Sequence, residues 1–155
     1  MKFKEINPSP RTLMTPGPVE ADPRVLRAMG AHILGQFDPE FTALMNETME
    51  MAEKAGIKKD TIMLDPGIGF AKDLDQNLEL MNHLELLNQW DVPVLLGTSR
   101  KSMIGLTLDL PSDQRVEGTV ATTVSGYMKG CRFFRVHDVK ENMRAMKMIE
   151  AICAK

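Results

Sequence analysis

The chain has 155 residues, of which 43% are hydrophobic and 26% charged, and its formal net charge is -2 at pH 7. This composition is typical of one globular domain, and the small net charge excludes a general attraction to nucleic acid or to an anionic membrane. No apolar run approaches the roughly 18 residues of a membrane span, and residues 1–10 lack a signal-peptide core, so we expect a cytoplasmic protein.

The first third of the chain predicts an irregular arm and two helices. Four prolines and a glycine prevent regular structure in residues 1–21. Asp22 and Pro23 predict the start of a short helix that ends at Gly30. Asp38 and Pro39 repeat this pattern and predict a longer helix, which Gly56 closes. Apolar residues recur along it at helical spacing: Phe41, Leu44, Met45, Met49 and Ala52.

From residue 61 onward the pattern alternates between strands and helices. Strands are predicted at 61–64, 92–97 and 132–136, and helices follow each of them. Capping boxes at residues 73–76 and 138–141 mark two of the helix starts, and the third helix spans about 113–129. The predicted buried positions are Leu78, Met81, Leu84, Leu87, Val116, Val120, Val124, Tyr127, Met143, Met146, Ile149 and Ile152. Right-handed crossovers make this order an α/β fold with a parallel sheet and outer helices.

Each predicted strand delivers an ionisable side chain to its carboxyl end, the edge where ligands bind in open α/β sheets and (β/α)8 barrels. These side chains are Asp65, Lys101, and Arg135 with His137. Residues 135 and 137 are two apart on a strand, so both side chains point to one face. Structural alternatives remain open: Asp65 as a turn residue, Lys101 as a solvated lysine, and Arg135 in a buried ion pair beside a core histidine.

Three motifs in this half resemble dihydropteroate synthase. Residues 64–70 read LDPGIGF, residues 96–105 read LGTSRKSMIG, and residues 134–141 read FRVHDVKE. The resemblance covers about residues 52–155 and corresponds to the last three βα units of the family's TIM barrel. It implies a partial TIM barrel of three consecutive βα units. The family joins 6-hydroxymethyl-7,8-dihydropterin diphosphate to p-aminobenzoate in folate biosynthesis and releases pyrophosphate.

The resemblance also implies substrate-binding roles for the pterin half of the site. Asp65 would accept hydrogen bonds from the amino-pyrimidine edge of the pterin. Lys101 would lie between pterin and p-aminobenzoate and bind the pterin carbonyl and ring nitrogen. Arg135 and His137 would meet the diphosphate and the stacked pterin.

Two further positions correspond to p-aminobenzoate contacts, Phe70 and Ser102. The implied reaction, a transferase reaction, is substitution at the pterin methylene carbon with diphosphate as leaving group. An aromatic amine is already neutral, so the protein's part would be to position the partners and stabilise the charge of the leaving group. No catalytic residue is assigned.

The front of the chain resembles a different family, the pyridoxal-phosphate aminotransferases of the alanine–glyoxylate or ureidoglycine–glyoxylate type. The motifs are LMTPGPV at 13–19, DPRVLRAM at 22–29 and GQFDPEF at 35–41. We therefore interpret residues 1–51 as an aminotransferase-like segment and residues 52–155 as the partial barrel, spliced within a helix as a chimera. We expect the two segments to form one folded unit. We do not expect a pyridoxal-phosphate enzyme, because the Schiff-base lysine of that family lies beyond the matched region.

Residues that dihydropteroate synthases use from their first strands have no counterpart here. They include the Asn that binds Mg²⁺, so the metal is expected for the family but its ligand is missing, and no metal site is assigned. We therefore expect weak or absent turnover with partial binding of pterin and diphosphate. The alternative is a non-catalytic chimeric fold with relic motifs. A short parallel sheet has open edges, so we also expect self-association.

Overall fold

The structure, a computed structural model, describes residues 38–154. The arm predicted for residues 1–21 and the short helix predicted to start at Asp22 lie outside the described residues. The described helices and strands fall within one compact unit, Gln36–Lys155. No helix among residues 38–154 is long and apolar enough to cross a membrane.

The described residues form five α-helices and two short strands. In chain order they are α1 Pro39–Lys54, α2 Leu74–Asn82, β1 Leu95–Leu96, α3 Ser102–Leu108, α4 Val116–Met128, β2 Phe133–Phe134 and α5 Val139–Cys153. Short 3-10 helices occur at Lys59–Thr61, Leu84–Trp90 and Ser112–Gln114. The predicted α/β alternation is thus present, with helical structure dominating.

Helix α1 confirms the prediction made from its capping residues. The Asp38 carboxylate accepts a hydrogen bond from Glu40 N at 2.9 Å, and Pro39 opens the first turn. Gly56 follows the helix with φ of 87°. The Trp90 indole donates to Asn46 Oδ1 at 2.8 Å and so ties α1 to the body of the unit.

The sheet is smaller than the sequence predicts. Strands β1 and β2 pair in parallel, with Leu95 opposite Phe133 and Leu96 opposite Phe134. The strand predicted at 61–64 is reduced to one parallel bridge, Leu64 with Val94. Thr61 closes a 3-10 turn instead, because its backbone N and its hydroxyl both donate to Lys58 O. The parallel order predicted for the three segments is confirmed, and their predicted lengths are wrong.

The hydrophobic core lies between this small sheet and helices α2, α3 and α4. Its buried members are Ile68, Leu80, Met81, Leu84, Val94, Leu96, Met103, Ile104 and Cys131. Burial raises the pKa of the Cys131 thiol to about 11, so this thiol behaves as a small apolar group. Cys153 is exposed, and neither cysteine forms a disulfide.

Two helices bury an asparagine that was not among the predicted core positions, although the predicted positions Met81 and Leu84 are buried. In α2 Asn77 is buried in place of the exposed Leu78. In α5 Asn142 is buried, while Met143 and Ile152 are exposed. Asn142 accepts a hydrogen bond from the Thr123 hydroxyl at 2.8 Å, so the polar contact with α4 fixes the rotation of α5.

Helix α4 faces the sheet with small residues instead of its valines. Thr119, Thr123 and Gly126 are buried, whereas the predicted positions Val116, Val120, Val124 and Tyr127 are half-buried. Small side chains at intervals of four and three residues let the helix backbone approach β1 closely. Hydroxyls of α4 also reach the loop that follows β1.

Candidate functional site

Three chain segments end at the same edge of the sheet and together form the candidate site. They are residues 65–70 after the Leu64 bridge, residues 97–101 after β1, and residues 135–138 after β2. Because these segments leave parallel strands, the polar residues at their carboxyl ends are brought together. A cleft of about 230 Å³ lies here. It is lined by Gly97, Ser99, Lys101, Arg135, Val136 and His137.

Asp65 both shapes its own loop and contacts the third segment. One carboxylate oxygen accepts from Gly67 N at 2.8 Å, which is the turn role considered for this residue. The other lies 3.4 Å from a guanidinium nitrogen of Arg135. The Asp65 carboxylate is therefore a shared acceptor at the cleft.

Lys101 is half-buried, so the alternative of a freely solvated lysine is wrong. Its Nζ donates to Ile68 O and lies 4.4 Å from the centre of the Phe70 ring. Gly69, with φ of 79°, leaves room for its stem, since a Cβ there would lie 2.9 Å from Lys101 Cδ. Burial lowers the pKa of Lys101, the nearby cations Arg135 and Lys72 add to the decrease, and Asp65 opposes it.

Arg135 lies just beyond β2 with its side chain 65% exposed. The guanidinium passes over the end of β1, where a Cβ on Gly97 would lie 3.1 Å from its Nη2. Arg135 and His137 line the same cleft, as their spacing of two predicts. Arg135 does form an ion pair with Asp65. However, Asp65, Arg135 and His137 are all exposed, so the alternative of a buried pair beside a core histidine is wrong.

His137 is held by a serine that the sequence patterns did not single out. The hydroxyl of Ser99 accepts the backbone N–H of His137 at 3.1 Å and lies 2.8 Å from His137 Nδ1. Ser99 is buried, whereas the His137 residue is exposed. The two hydrogen bonds between this hydroxyl and His137 fix both the backbone and the ring of His137 beside the cleft.

Phe70 and Ser102 occupy different positions relative to the cleft. Phe70 is 63% exposed and stacks against Lys101, so it lies at the edge of the site. Ser102 begins α3 and faces a separate depression lined by Gly105, Leu106, Asp109, Leu110, Pro111 and Arg115. The structure therefore brings five of the six predicted residues to one edge, and Ser102 lies beside it.

A second ion pair joins the loops that carry Lys101 and His137. Arg100 donates to the Asp138 carboxylate through Nε at 3.0 Å and through Nη2. The hydrogen bond from Arg100 holds the pKa of Asp138 below its usual range. The predicted capping box is wrong here, because the Asp138 carboxylate binds Arg100 and caps no N–H of α5.

Sequence reasoning also missed Asn77 and Lys72, which build the loop over the cleft. Asn77 is buried, accepts from Gly69 N at 2.7 Å, and donates to Lys72 O and Asp73 O. Lys72 Nζ donates to Gly67 O and Phe70 O. An asparagine at an apolar helix position was the available signal, since buried polar groups need partners.

The described residues do not fit a Mg²⁺ site. Among residues 38–154 no three His, Cys, Asp or Glu side chains are placed to hold a metal ion together. The carboxylate of Asp65 is engaged by Gly67 and Arg135.

The family model for pterin binding enzymes matches residues 27–137. The chain belongs to that family.

Within it, the chain is similar to dihydropteroate synthases. It is 59% identical over 109 residues to the dihydropteroate synthase of Clostridium beijerinckii, covering 70% of this chain and 40% of that protein. The crystal structure of Yersinia pestis dihydropteroate synthase matches with a TM-score of 0.71 at 42% identity, over 75% of this chain and 55% of that one. A dihydropteroate synthase from Clostridium difficile, solved in the presence of pteroic acid, matches with a TM-score of 0.69 at 47% identity. The match covers 74% of this chain and 43% of that one. The chain thus spans about 40% of the length of the curated relatives it matches.

The family match also bears on the proposed chimera. It begins at residue 27 and therefore overlaps the segment interpreted as aminotransferase-like, residues 11–51. The comparisons show the pterin-binding family on both sides of the predicted junction near residue 52. They give no support to the aminotransferase resemblance.

Proposed function

We propose that this chain binds the pterin and diphosphate parts of 6-hydroxymethyl-7,8-dihydropterin diphosphate at the edge formed by Asp65, Lys101, Arg135 and His137. The observation that carries the proposal is the charge pattern at this edge. Lys101 is close enough to two further cations, Arg135 and Lys72, and to the carboxylate of Asp65 for all three to act on its charge. In a ligand with an anionic diphosphate and an amino-pyrimidine edge, the diphosphate would pair with the cations, and the N–H donors of the pyrimidine edge would pair with the carboxylate.

In this proposal each side chain has a separate task. Asp65 accepts the amino-pyrimidine N–H groups, and Lys101 donates to the pterin ring. The exposed guanidinium of Arg135 turns from Asp65 to the diphosphate oxygens, which it binds as a fork. His137 lies against the pterin face, and Phe70 is assigned to the p-aminobenzoate side. Ser102, which faces the neighbouring depression, keeps its assignment to p-aminobenzoate as a hypothesis.

We propose weak or absent turnover for the 155-residue chain. The described residues supply positive charge for the leaving diphosphate, and p-aminobenzoate needs no base to be nucleophilic. A TIM barrel takes about 250 residues, and the three βα units proposed here would form only part of its ring.

A second candidate is a non-catalytic fold whose motifs are relics. The observation in its favour is that Asp65 and Arg135 already satisfy one another. The aminotransferase-like origin of residues 11–51, and with it the term chimera, stays a hypothesis within this second candidate.

Ligand binding to the wild-type chain and to Asp65→Asn separates the two candidates. Asparagine keeps an oxygen for Gly67 N, so the turn is retained while the charge and the second acceptor are lost. We expect the dihydropterin diphosphate to raise the melting temperature of the wild type by linkage. We expect Asp65→Asn to weaken binding about tenfold, which corresponds to the lower end, about 1.5 kcal/mol, of what a hydrogen bond to a charged group contributes.

The matched control is Asp75→Asn, an exposed aspartate in the first turn of α2. In a calorimetric titration with the dihydropterin diphosphate, this variant should bind like the wild type. If the ligand does not change the melting temperature of the wild type, the second candidate, a non-catalytic fold with relic motifs, is supported. Formation of dihydropteroate by the chain at rates typical of enzymes would contradict weak turnover.

We further propose that the chain self-associates through the edge of its sheet, with a second copy as partner. Within residues 38–154 β2 has β1 as its strand neighbour, and Phe133 on β2 is 47% exposed. Sedimentation velocity over a concentration series should show a species heavier than the 17.3 kDa chain. Phe133→Lys should shift the protein toward monomer, because a lysine blocks edge pairing. Leu106→Lys on α3 should not, and a monomer at every concentration would contradict the proposal.

A further inference from the structure

The loop that carries Lys101 has an unusual backbone. Arg100 has φ of 56°, the left-handed region that glycine adopts more readily than arginine. The residue is part-buried, and its side chain is fixed by Asp138. A strained conformation of this kind persists only where the surroundings determine it.

Three side chains, two on one face of α4 and one on the residue that precedes it, supply those surroundings. Arg115, Thr119 and Thr122 are spaced four and three residues apart, which places them on one side of a helix. The Thr122 hydroxyl lies 2.7 Å from the hydroxyl of Thr98. The Thr119 hydroxyl accepts from Arg100 N at 3.0 Å and donates to its own helix at Arg115 O.

Arg115 completes the contact from just before the first turn of α4. Its Nη1 donates to Arg100 O at 2.9 Å and to Lys101 O at 3.4 Å. Its Nε donates to Leu110 O at 2.9 Å. The amide of Arg100 is therefore held by Thr119 of α4, and its carbonyl by Arg115, which immediately precedes α4.

We propose that Thr119 and Arg115 are positioning residues, which set the direction in which Lys101 enters the ligand cleft. Neither residue lines the cleft itself, and Thr119 is 0% exposed. They hold the backbone of residues 100 and 101. The position of this backbone allows the Lys101 side chain to reach Ile68 O. The consequence for ligand affinity rests on the proposed function, whereas the placement of Lys101 does not.

The environment of Lys101 provides a readout that needs no ligand. Its pKa is lowered chiefly by burial and further by Arg135 and Lys72. If the loop is released, Nζ moves toward solvent and the lysine recovers its ordinary pKa. The titration of Lys101 is followed by NMR on protein with labelled lysine side chains, assigned with Lys101→Arg.

The test compares Thr119→Val with Thr119→Ser. Valine has the same shape and removes the hydroxyl, whereas serine keeps the hydroxyl that accepts from Arg100 N. We expect Thr119→Val to raise the pKa of Lys101 and to weaken binding of the dihydropterin diphosphate about tenfold, with Thr119→Ser retaining both wild-type values. Thr107→Val is the matched control, because the Thr107 hydroxyl bonds only its own helix at Met103 O.

Two outcomes would overturn the proposal. One is a Thr119→Val protein that is less stable but titrates at Lys101 like the wild type. The other is an Arg115→Lys protein with an unchanged Lys101 pKa, which is the variant to use if Thr119→Val does not fold. A wild type that does not bind the ligand would defeat the proposed function, while the pKa of Lys101 would still decide the positioning role.

Discussion

Lys101→Ala should weaken binding of the dihydropterin diphosphate by on the order of thirtyfold, the largest effect expected of a single site substitution. In the proposed site the ammonium is half-buried and faces the ligand, so its loss removes a charge-assisted hydrogen bond of about 2 kcal/mol. The cation–π contact with Phe70 is lost at the same time. Isothermal titration calorimetry of the variant against the wild type measures the effect.

The control is Lys147→Ala, an exposed lysine on α5. It removes the same net charge from the protein, so it accounts for long-range electrostatics. Equal affinities of Lys101→Ala and the wild type would mean that the motif around Lys101 is a relic.

Leu96→Ala should lower the free energy of unfolding by about 3 kcal/mol, the largest effect expected on stability. Leu96 lies on the central strand β1, is 1% exposed, and belongs to the cluster that joins the sheet to the helices. Truncation leaves a cavity between β1 and α4 that the surrounding backbone cannot close fully. Urea denaturation followed by circular dichroism measures the change.

Leu106→Ala is the comparison for this substitution. Leu106 is 66% exposed on α3, so the same truncation should change stability by less than about 0.5 kcal/mol. A loss below about 1 kcal/mol for Leu96→Ala, at an unchanged denaturant slope, would show that β1 does not lie at the centre of the core.

The order of the parallel segments and the positions of most helices could be predicted from the sequence. Asp38 with Pro39 and the box at Asp73 and Gln76 carry local signals that depend on neighbouring residues alone, and both are confirmed. Strand length was not predictable, because it depends on pairing between distant segments. Thr61 has a high strand propensity, yet its hydroxyl stabilises a turn at Lys58.

The faces of the helices were predicted less well, for a related reason. The predictions placed only apolar side chains inside. Met81 is buried as predicted, but Asn77 and Asn142 are buried as well, because each bonds a neighbouring segment. Similarly, the local sequence favours Asp138 as the N-cap of α5, but its carboxylate instead accepts a hydrogen bond from Arg100 of another loop. Ser99, Thr119 and Arg115 escaped notice because their partners lie far away in sequence.

The contact between Asp65 and Arg135 has a consequence for ligand selection. In the free protein each charge has the other as counter-ion, so a ligand must separate them before it binds either. Inorganic diphosphate would satisfy Arg135 and leave Asp65 without its partner, whereas a free pterin would do the reverse. A molecule that carries both groups compensates both losses. An exposed pair of this kind contributes at most about 1 kcal/mol, so it favours the two-ended ligand over either half by a factor of a few.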